Sequence, residues 1–259
     1  MLARRDLLKG FASTPLAGAS LAAILANPDL ARAAAAKLAK QSAKLASGKG
    51  IDAWLAVPAK TPAPAVVTIH EWWGLNDQIK AVTAEYANQG FVALAIDLMG
   101  GSVATTASAA QAQMDAVDPA VATETAAHWV KWMRAHAAST GKVGTVGWCF
   151  GGGWSLNASI AAPAEATVVY YGNVARSAAD LKKLKGPVLG HFATQDQWIN
   201  RPMVDAFEVA MKQAGKPVTT HWYDANHGFA NPTSARYDEG DAKLAWSRTL
   251  DFFKTNLSS

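Results

Sequence analysis

The amino-acid sequence predicts an α/β protein built on one mostly parallel, twisted sheet with helices on both faces. From about residue 51 to the end, short apolar runs alternate with amphipathic helical stretches, the pattern of strand–helix–strand units. Several of those runs are apolar without alternation, as strands covered on both faces must be. The 259 residues suffice for one sizeable domain. No internal repeat and no change of composition divides them.

The elements follow in order. Residues 51–57 alternate in part and stop at Pro58, which fits a half-exposed edge strand. Residues 65–70 (Ala-Val-Val-Thr-Ile-His) read as a buried parallel strand. A helix is expected over 77–89, stopped by Gly90, and a second buried strand over 91–97. Residues 119–138 form a long helix with Pro119 in its first turn. Then come a strand at 142–148, a helix at 150–161, a strand at 166–171 ending at Gly172, and a strand at 187–193. A helix at 202–214 ends at Gly215, and a strand at 218–223 precedes the last helix, 241–257. In such sheets, sites gather at the carboxyl ends of strands. The loops after His70, Asp97, Trp148, Ala193 and Tyr223 are therefore the expected rim of a site.

Half the residues are hydrophobic and 17% are charged, which suits a globular chain. No run of Lys or Arg marks a nucleic-acid footprint. The single cysteine excludes an internal disulfide framework and a cysteine-rich metal site. Ten tryptophans suggest an aromatic-lined pocket, although packing absorbs most such rings.

That cysteine, Cys149, stands in Gly147-Trp148-Cys149-Phe150-Gly151, between a predicted strand and a predicted helix. A lone cysteine is usually a small buried hydrophobe, so the context carries the argument. Gly-x-nucleophile-x-Gly at a strand–helix junction is a nucleophile elbow. The turn is tight enough that only small residues fit two places before and after the nucleophile. The side chain is pushed out over the sheet edge, and the N–H of Phe150 at the helix start faces the reacting carbonyl oxygen. A phosphate loop is excluded because no Gly-Lys-Ser/Thr follows. Elbow hydrolases place an acid and then a histidine after the nucleophile. Asp196 and His227 supply both, each just past a predicted strand. His70-Glu71-Trp72-Trp73-Gly74 starts like a zinc-binding His-Glu-x-x-His helix. Gly74 occupies the fifth place and the segment ends a strand, so metal is rejected. Such a loop supplies the second oxyanion-hole N–H, here that of Trp72. Asp97 precedes the nucleophile and is expected to brace a loop; His70 is ambiguous. Trp73, Trp148 and Phe229 are the candidate pocket residues.

From about residue 51 onward the chain resembles the dienelactone hydrolase family of α/β-hydrolases. The resemblance rests on the Cys elbow, the Glu71 loop ending in Gly74-Leu75-Asn76, Asp97-Leu98, Asp196 and His227-Gly228-Phe229. It implies cofactor-independent hydrolysis of an enol-lactone or ester. Cys149 would be the nucleophile, His227 the base and Asp196 its orienter. Glu71 would hold the thiol proton at rest, and Trp72 and Phe150 N–H groups would bind the oxyanion. Members grip a substrate carboxylate with arginines, where this chain has Met99-Gly100-Gly101 and Asn231. A broader carboxylesterase or thioesterase, and a non-catalytic binding protein on the same fold, are the alternatives. A redox role for Cys149 would need a second molecule to supply the resolving thiol.

Residues 1–33 read as a twin-arginine signal peptide. Arg4-Arg5-Asp6-Leu7-Leu8-Lys9 is followed by a short apolar stretch, 11–26, interrupted by Pro15, and by the small-x-small site Ala31-Arg32-Ala33. The expected partners are thus the twin-arginine export machinery and a small-molecule ester or lactone. The expected location is the bacterial periplasm or the exterior, without stable membrane insertion after cleavage. Removing these residues lowers the formal charge from +4 to +2, which argues against a polyanionic partner. Residues 34–50 are expected to be a linker, residues 51–259 the hydrolase domain, and the chain a monomer.

Overall fold

The computed structural model describes residues 20–258. In chain order the elements are α1 (Leu21–Ala26), α2 (Pro28–Ala35), β1 (Ala39–Lys44), β2 (Gly50–Ala56), β3 (Ala63–Ile69), α3 (Asp77–Asn88), β4 (Val92–Ile96), α4 (Ala107–Asp115), α5 (Pro119–Ala135), β5 (Ser139–Trp148), α6 (Phe150–Ala161), β6 (Ala166–Tyr170), α7 (Ala178–Leu181), β7 (Val188–Ala193), α8 (Arg201–Ala214), β8 (Val218–Tyr223) and α9 (Glu239–Leu257). The strands form one sheet in the order β1-β2-β4-β3-β5-β6-β7-β8. β1 pairs antiparallel with β2 and β2 antiparallel with β4; the remaining pairs are parallel.

Strand side chains alternate between faces, and the core divides accordingly. Val66, Ala93 and Val146 pack with Ile79, Val82 and Tyr86 of α3 and with Phe253 of α9. Val67, Leu94 and Val143 pack with Trp129, Val130 and Met133 of α5 and Ala158 of α6. Under α8, Phe207 and Met211 meet Val188 and Phe192 of β7. Burial on both faces explains why β3 and β4 read as uninterrupted apolar runs. A lattice of buried hydroxyls pins α6 to the sheet. Thr145 bonds Ser155 at 2.9 Å and Ser159 at 2.8 Å, and Thr167 donates to Ser159 at 2.7 Å. In the middle of the sheet the chain passes from β3 out to β4 and returns to β5 on the other side of β3. That reversal opens a crevice at the carboxyl ends of β3 and β5.

Two expectations are corrected at the amino-terminal side. Residues 34–50 are not a plain linker, since β1 lies within them. Its exposure alternates along the strand, and Lys40 and Ser42 both bind the Asp52 carboxylate on β2. β2 is consequently interior, and β1 is the edge. Of the expected signal segment, residues 1–19, including the arginine pair, lie outside the described residues. Residues 21–35 form α1 and α2, whose Ile24, Leu25, Ala31 and Ala34 join the core beside Ile79 and Val82 of α3. Asn27 caps α2 by accepting from the N–H groups of Asp29 and Leu30, with Pro28 in the first turn. No described helix is long and apolar enough to cross a membrane. Helices α4 and α7 lie in stretches that the sequence left unassigned.

Beneath the site, Arg134 grips Glu165 with two N–H groups at 2.6 and 3.0 Å, and Lys185 adds a third donor at 2.7 Å. Burial pushes the Glu165 carboxyl up, but these bonds and the Val143 N–H outweigh it and hold the pKa at about 2. A depressed carboxyl stabilises the fold above its ordinary pKa and ceases to do so as pH falls from about 4.5 through about 2. Glu165→Gln is expected to cost about 2 kcal/mol at pH 7. The difference in melting temperature from the parent should shrink as the pH is lowered through that window in calorimetry.

Candidate active site

β5 runs straight into Cys149, whose backbone has φ 55° and ψ −118°. A non-glycine residue in this region is strained, and its surroundings hold it there. Its N–H donates to the Tyr170 carbonyl at 3.0 Å, and its carbonyl accepts from Gly152 N–H at 3.0 Å. A Cβ on Gly147 would stand 2.0 Å from the Gly151 oxygen, and one on Gly151 2.2 Å from the Ile69 oxygen. The spacing Gly-x-Cys-x-Gly is therefore dictated by backbone meeting backbone. The N–H of Phe150, in the first turn of α6, has no hydrogen-bond partner within the described residues.

Asp196 follows β7 in a turn of its own making. One carboxylate oxygen accepts the N–H groups of Trp198 at 2.9 Å and Ile199 at 3.0 Å. The other accepts Nδ1–H of His227 at 2.6 Å. Burial pushes this carboxyl up, yet the bonds from His227 and the two N–H groups prevail and hold it below the ordinary value. His227 follows β8, with its ring between those of Tyr171 (5.1 Å) and Trp198 (5.3 Å). Burial pulls its pKa down. The hydrogen bond to Asp196, the interaction with the neighbouring Cys149 sulfur and the Asp196 charge outweigh burial and carry it up to about 10.

Glu71, just past the end of β3, is buried. Its carboxyl is pushed up by burial, and the Asn231 bond, His227 and Tyr171 pull the other way without reversing the shift. Asn231 Nδ2 donates to Glu71 at 2.6 Å. The Asn231 oxygen accepts from Gln78 Nε2 at 2.6 Å and from the N–H and hydroxyl of Thr233 at 2.9 and 2.7 Å. Those three donors fix which end of the amide faces Glu71. The Tyr171 hydroxyl is buried, makes no well-formed hydrogen bond, and lies within electrostatic reach of both Glu71 and Cys149.

The loop carrying Trp72 is braced from below. His70 Nδ1 donates to the Glu71 carbonyl at 2.7 Å, and His70 Nε2 accepts Leu98 N–H at 3.1 Å. This pairing fixes the neutral tautomer, and burial pulls the His70 pKa down in the same sense. Asp97 accepts Met99 N–H at 2.8 Å and Gly101 N–H at 2.5 Å, so its loop-bracing role holds. The Trp72 N–H, like that of Phe150, has no partner within the described residues.

Above these groups opens a cavity of about 810 Å³ lined by Glu71, Trp72, Cys149, Phe150, Tyr171 and His227, among others. Asp196 stands behind His227. The sequence-predicted set Cys149, Asp196, His227, Glu71, Trp72 and Phe150 thus meets in one place, and Trp73 lines the same cavity. Two pocket candidates do not. Trp148 packs under the sheet end against Tyr170 at 5.5 Å, because its neighbour Cys149 takes the outward side of the turn. Phe229 is fully buried between Tyr171 and Tyr223, turned inward after Gly228. Sequence reasoning missed Tyr171, Trp198 and Arg176, and saw Asn231 only as a missing arginine. Tyr171 ends a predicted strand, so the carboxyl-end rule would have found it had the loop after β6 been included.

The fold and this crevice define a carboxylic ester hydrolase of the α/β-hydrolase class. The chain belongs to the dienelactone hydrolase family, whose model matches residues 51–257. A carboxymethylenebutenolidase of Pseudomonas putida is 28% identical over 216 residues, covering 79% of this chain and 91% of that protein. Protein usf of Aquifex pyrophilus is 30% identical over 227 residues, covering 82% and 96%. Among solved structures, a dienelactone hydrolase-like promiscuous phosphotriesterase from metagenomic libraries superposes with a TM-score of 0.78 at 22% identity. That superposition covers 85% of this chain and 99% of the other.

His227 offers a direct test of these electrostatics. Its folded pKa stands above the ordinary 6.5, so its pairing stabilises fully below that pH and is lost as pH rises through about 10. Asp196→Asn should lower the imidazole titration midpoint, followed by NMR, by at least about one unit. The stability gap to the parent should narrow between pH 7 and 10.

Proposed function

We propose that the protein hydrolyses a carboxylic ester or lactone by acylating Cys149. The observation that carries this is the thiol on a strained elbow, in one cavity with a histidine that Asp196 orients and with two residues whose N–H groups are unpartnered. The Cys149 thiolate attacks the carbonyl carbon, and the N–H groups of Trp72 and Phe150 take the oxyanion. As the C–O bond breaks, His227 gives its proton to the leaving oxygen. The thiolate's charge vanishes in the thioester, which removes one support of the raised His227 pKa and makes that proton easier to give. Neutral His227 then takes a proton from water, the resulting hydroxide attacks the thioester, and the C–S bond breaks to restore thiolate and imidazolium. Glu71 is assigned as acceptor of the thiol proton at rest, with the Tyr171 hydroxyl within reach of both groups.

A broad carboxylesterase is the second reading, favoured by a cavity of about 810 Å³, far larger than a small lactone needs. A panel of p-nitrophenyl esters, thioesters and an enol-lactone separates the two by kcat/KM. Cys149→Ala is expected to lower kcat on the best substrate by at least about 10³-fold. Retention of full activity in that variant, or no turnover of any ester by the parent, would remove the proposal.

We also propose export by the twin-arginine route, supported by Arg4-Arg5-Asp6-Leu7-Leu8-Lys9 and the following apolar stretch. Replacing both arginines by lysine should leave the protein in the cytoplasmic fraction, where the parent would be found in the periplasm or medium.

A further inference from the structure

Two guanidinium groups, Arg176 and Arg236, line the cavity, and Glu71 is the only carboxylate among the described residues lining it. Neither arginine enters an ion pair within the described residues. Arg134 shows what a part-buried arginine of this chain does when a carboxylate is at hand, since it takes Glu165 in a two-point bond. Arg176, on the loop after β6, has only neutral acceptors. It donates to Asn157 Oδ1 at 2.8 Å, to its neighbour's carbonyl at Ala175 at 2.7 Å and to the Gly153 carbonyl at 3.4 Å. The nearest carboxylate influence, Asp180, is already engaged by Ser177 and Lys183. Burial pulls the Arg176 pKa down, the mark of a cation that has lost water without gaining an anion. Of its five N–H donors, two have no protein partner.

We propose that Arg176 anchors a carboxylate-binding subsite, and that the preferred ester carries a free carboxylate on its acyl chain. This rests on the reading that Cys149 is acylated. The anchoring contacts also set a distance. Gly153 and Asn157 lie four and eight residues beyond Cys149 on α6. At 1.5 Å of rise per residue, the guanidinium is held about 6–12 Å along the helix from the nucleophile. A half-ester of a dicarboxylic acid with about four to eight carbons between its ends spans that gap, at about 1.3 Å of advance per bond. Arg236 stacks at 5.3 Å over Trp198, which is 60% exposed and lies edge-on to His227. It adds positive charge at the same mouth. Both arginines are on loops other than 99–101, and neither is at position 231, so the subsite differs from the grip that the family resemblance implies.

The test uses p-nitrophenyl half-esters of adipic, suberic and sebacic acids, each beside its counterpart with the far carboxyl capped as a methyl ester. At the best chain length, kcat/KM for the free acid should exceed that for the capped ester by at least about tenfold, mainly through KM. The ratio should fall with added salt. Arg176→Gln should bring the ratio near one, and Arg176→Lys should keep part of it, because lysine retains charge but not the fork. A ratio of one or less at every length, or a ratio untouched by Arg176→Gln, overturns the proposal. Failure of the hydrolase reading looks different: none of the esters is cleaved. In that event, Cys149→Ala protein is titrated with the corresponding half-amides. Tighter binding of the free acid, lost in Arg176→Gln, supports the subsite; equal binding of free and capped forms overturns it.

Discussion

Everything at this site depends on how closely the first turn of α6 approaches the ends of β3 and β5. The Gly151 backbone sits against the Ile69 and His70 carbonyls, and the Gly147 backbone against Gly151. That contact forces Cys149 into a left-handed conformation and lifts its thiol clear of the sheet. It also brings Phe150 and Trp72, from separate elements, into one cavity with Cys149. The hydroxyl lattice of Thr145, Ser155, Ser159 and Thr167 matters for the same reason. It lets α6 lie close to its strands while satisfying every buried oxygen, where larger apolar side chains would hold the helix away.

On this scaffold burial pushes two carboxyl groups up alike, and their partners leave them on opposite sides of the ordinary value. Asp196 receives three donors, one of them a cationic imidazole, and is held ionised. Glu71 receives a neutral amide and stands higher. The number and charge of the donors differ between the two. That difference separates an orienting anion from a carboxyl able to exchange a proton.

Much of this was legible in the sequence, for identifiable reasons. α6 was placed residue for residue because Pro and Gly punctuation and the elbow fixed both of its ends. β3, β4 and β6 were found because double-sided burial leaves an unbroken apolar run. Asp196 and His227 were found because strand ends carry sites. β1 was missed since its exposed positions are Lys40, Ser42 and Lys44 and its half-buried ones only Ala39, Gln41 and Ala43, so that only pairing with β2 reveals it. Trp148 and Phe229 were misplaced because nearness in sequence to a reactive residue does not say which side of a turn a ring takes. The partners of Asn231 were invisible, because Gln78 lies far off in sequence and reaches it only through the fold.

The Asn231 clamp has a consequence for how this site can change over generations. Its oxygen is held by Gln78 and Thr233, and its nitrogen by Glu71. A charged residue arriving at 231 would strand the Gln78 donor on α3 and the Thr233 donors on its own loop before offering anything to a substrate. Positions 71, 78, 231 and 233 are therefore strongly epistatic, and single steps among them lead downhill. A lineage entering this arrangement keeps its neutral amide, and new substrate preferences arise more readily on the loops that bear Arg176 and Arg236.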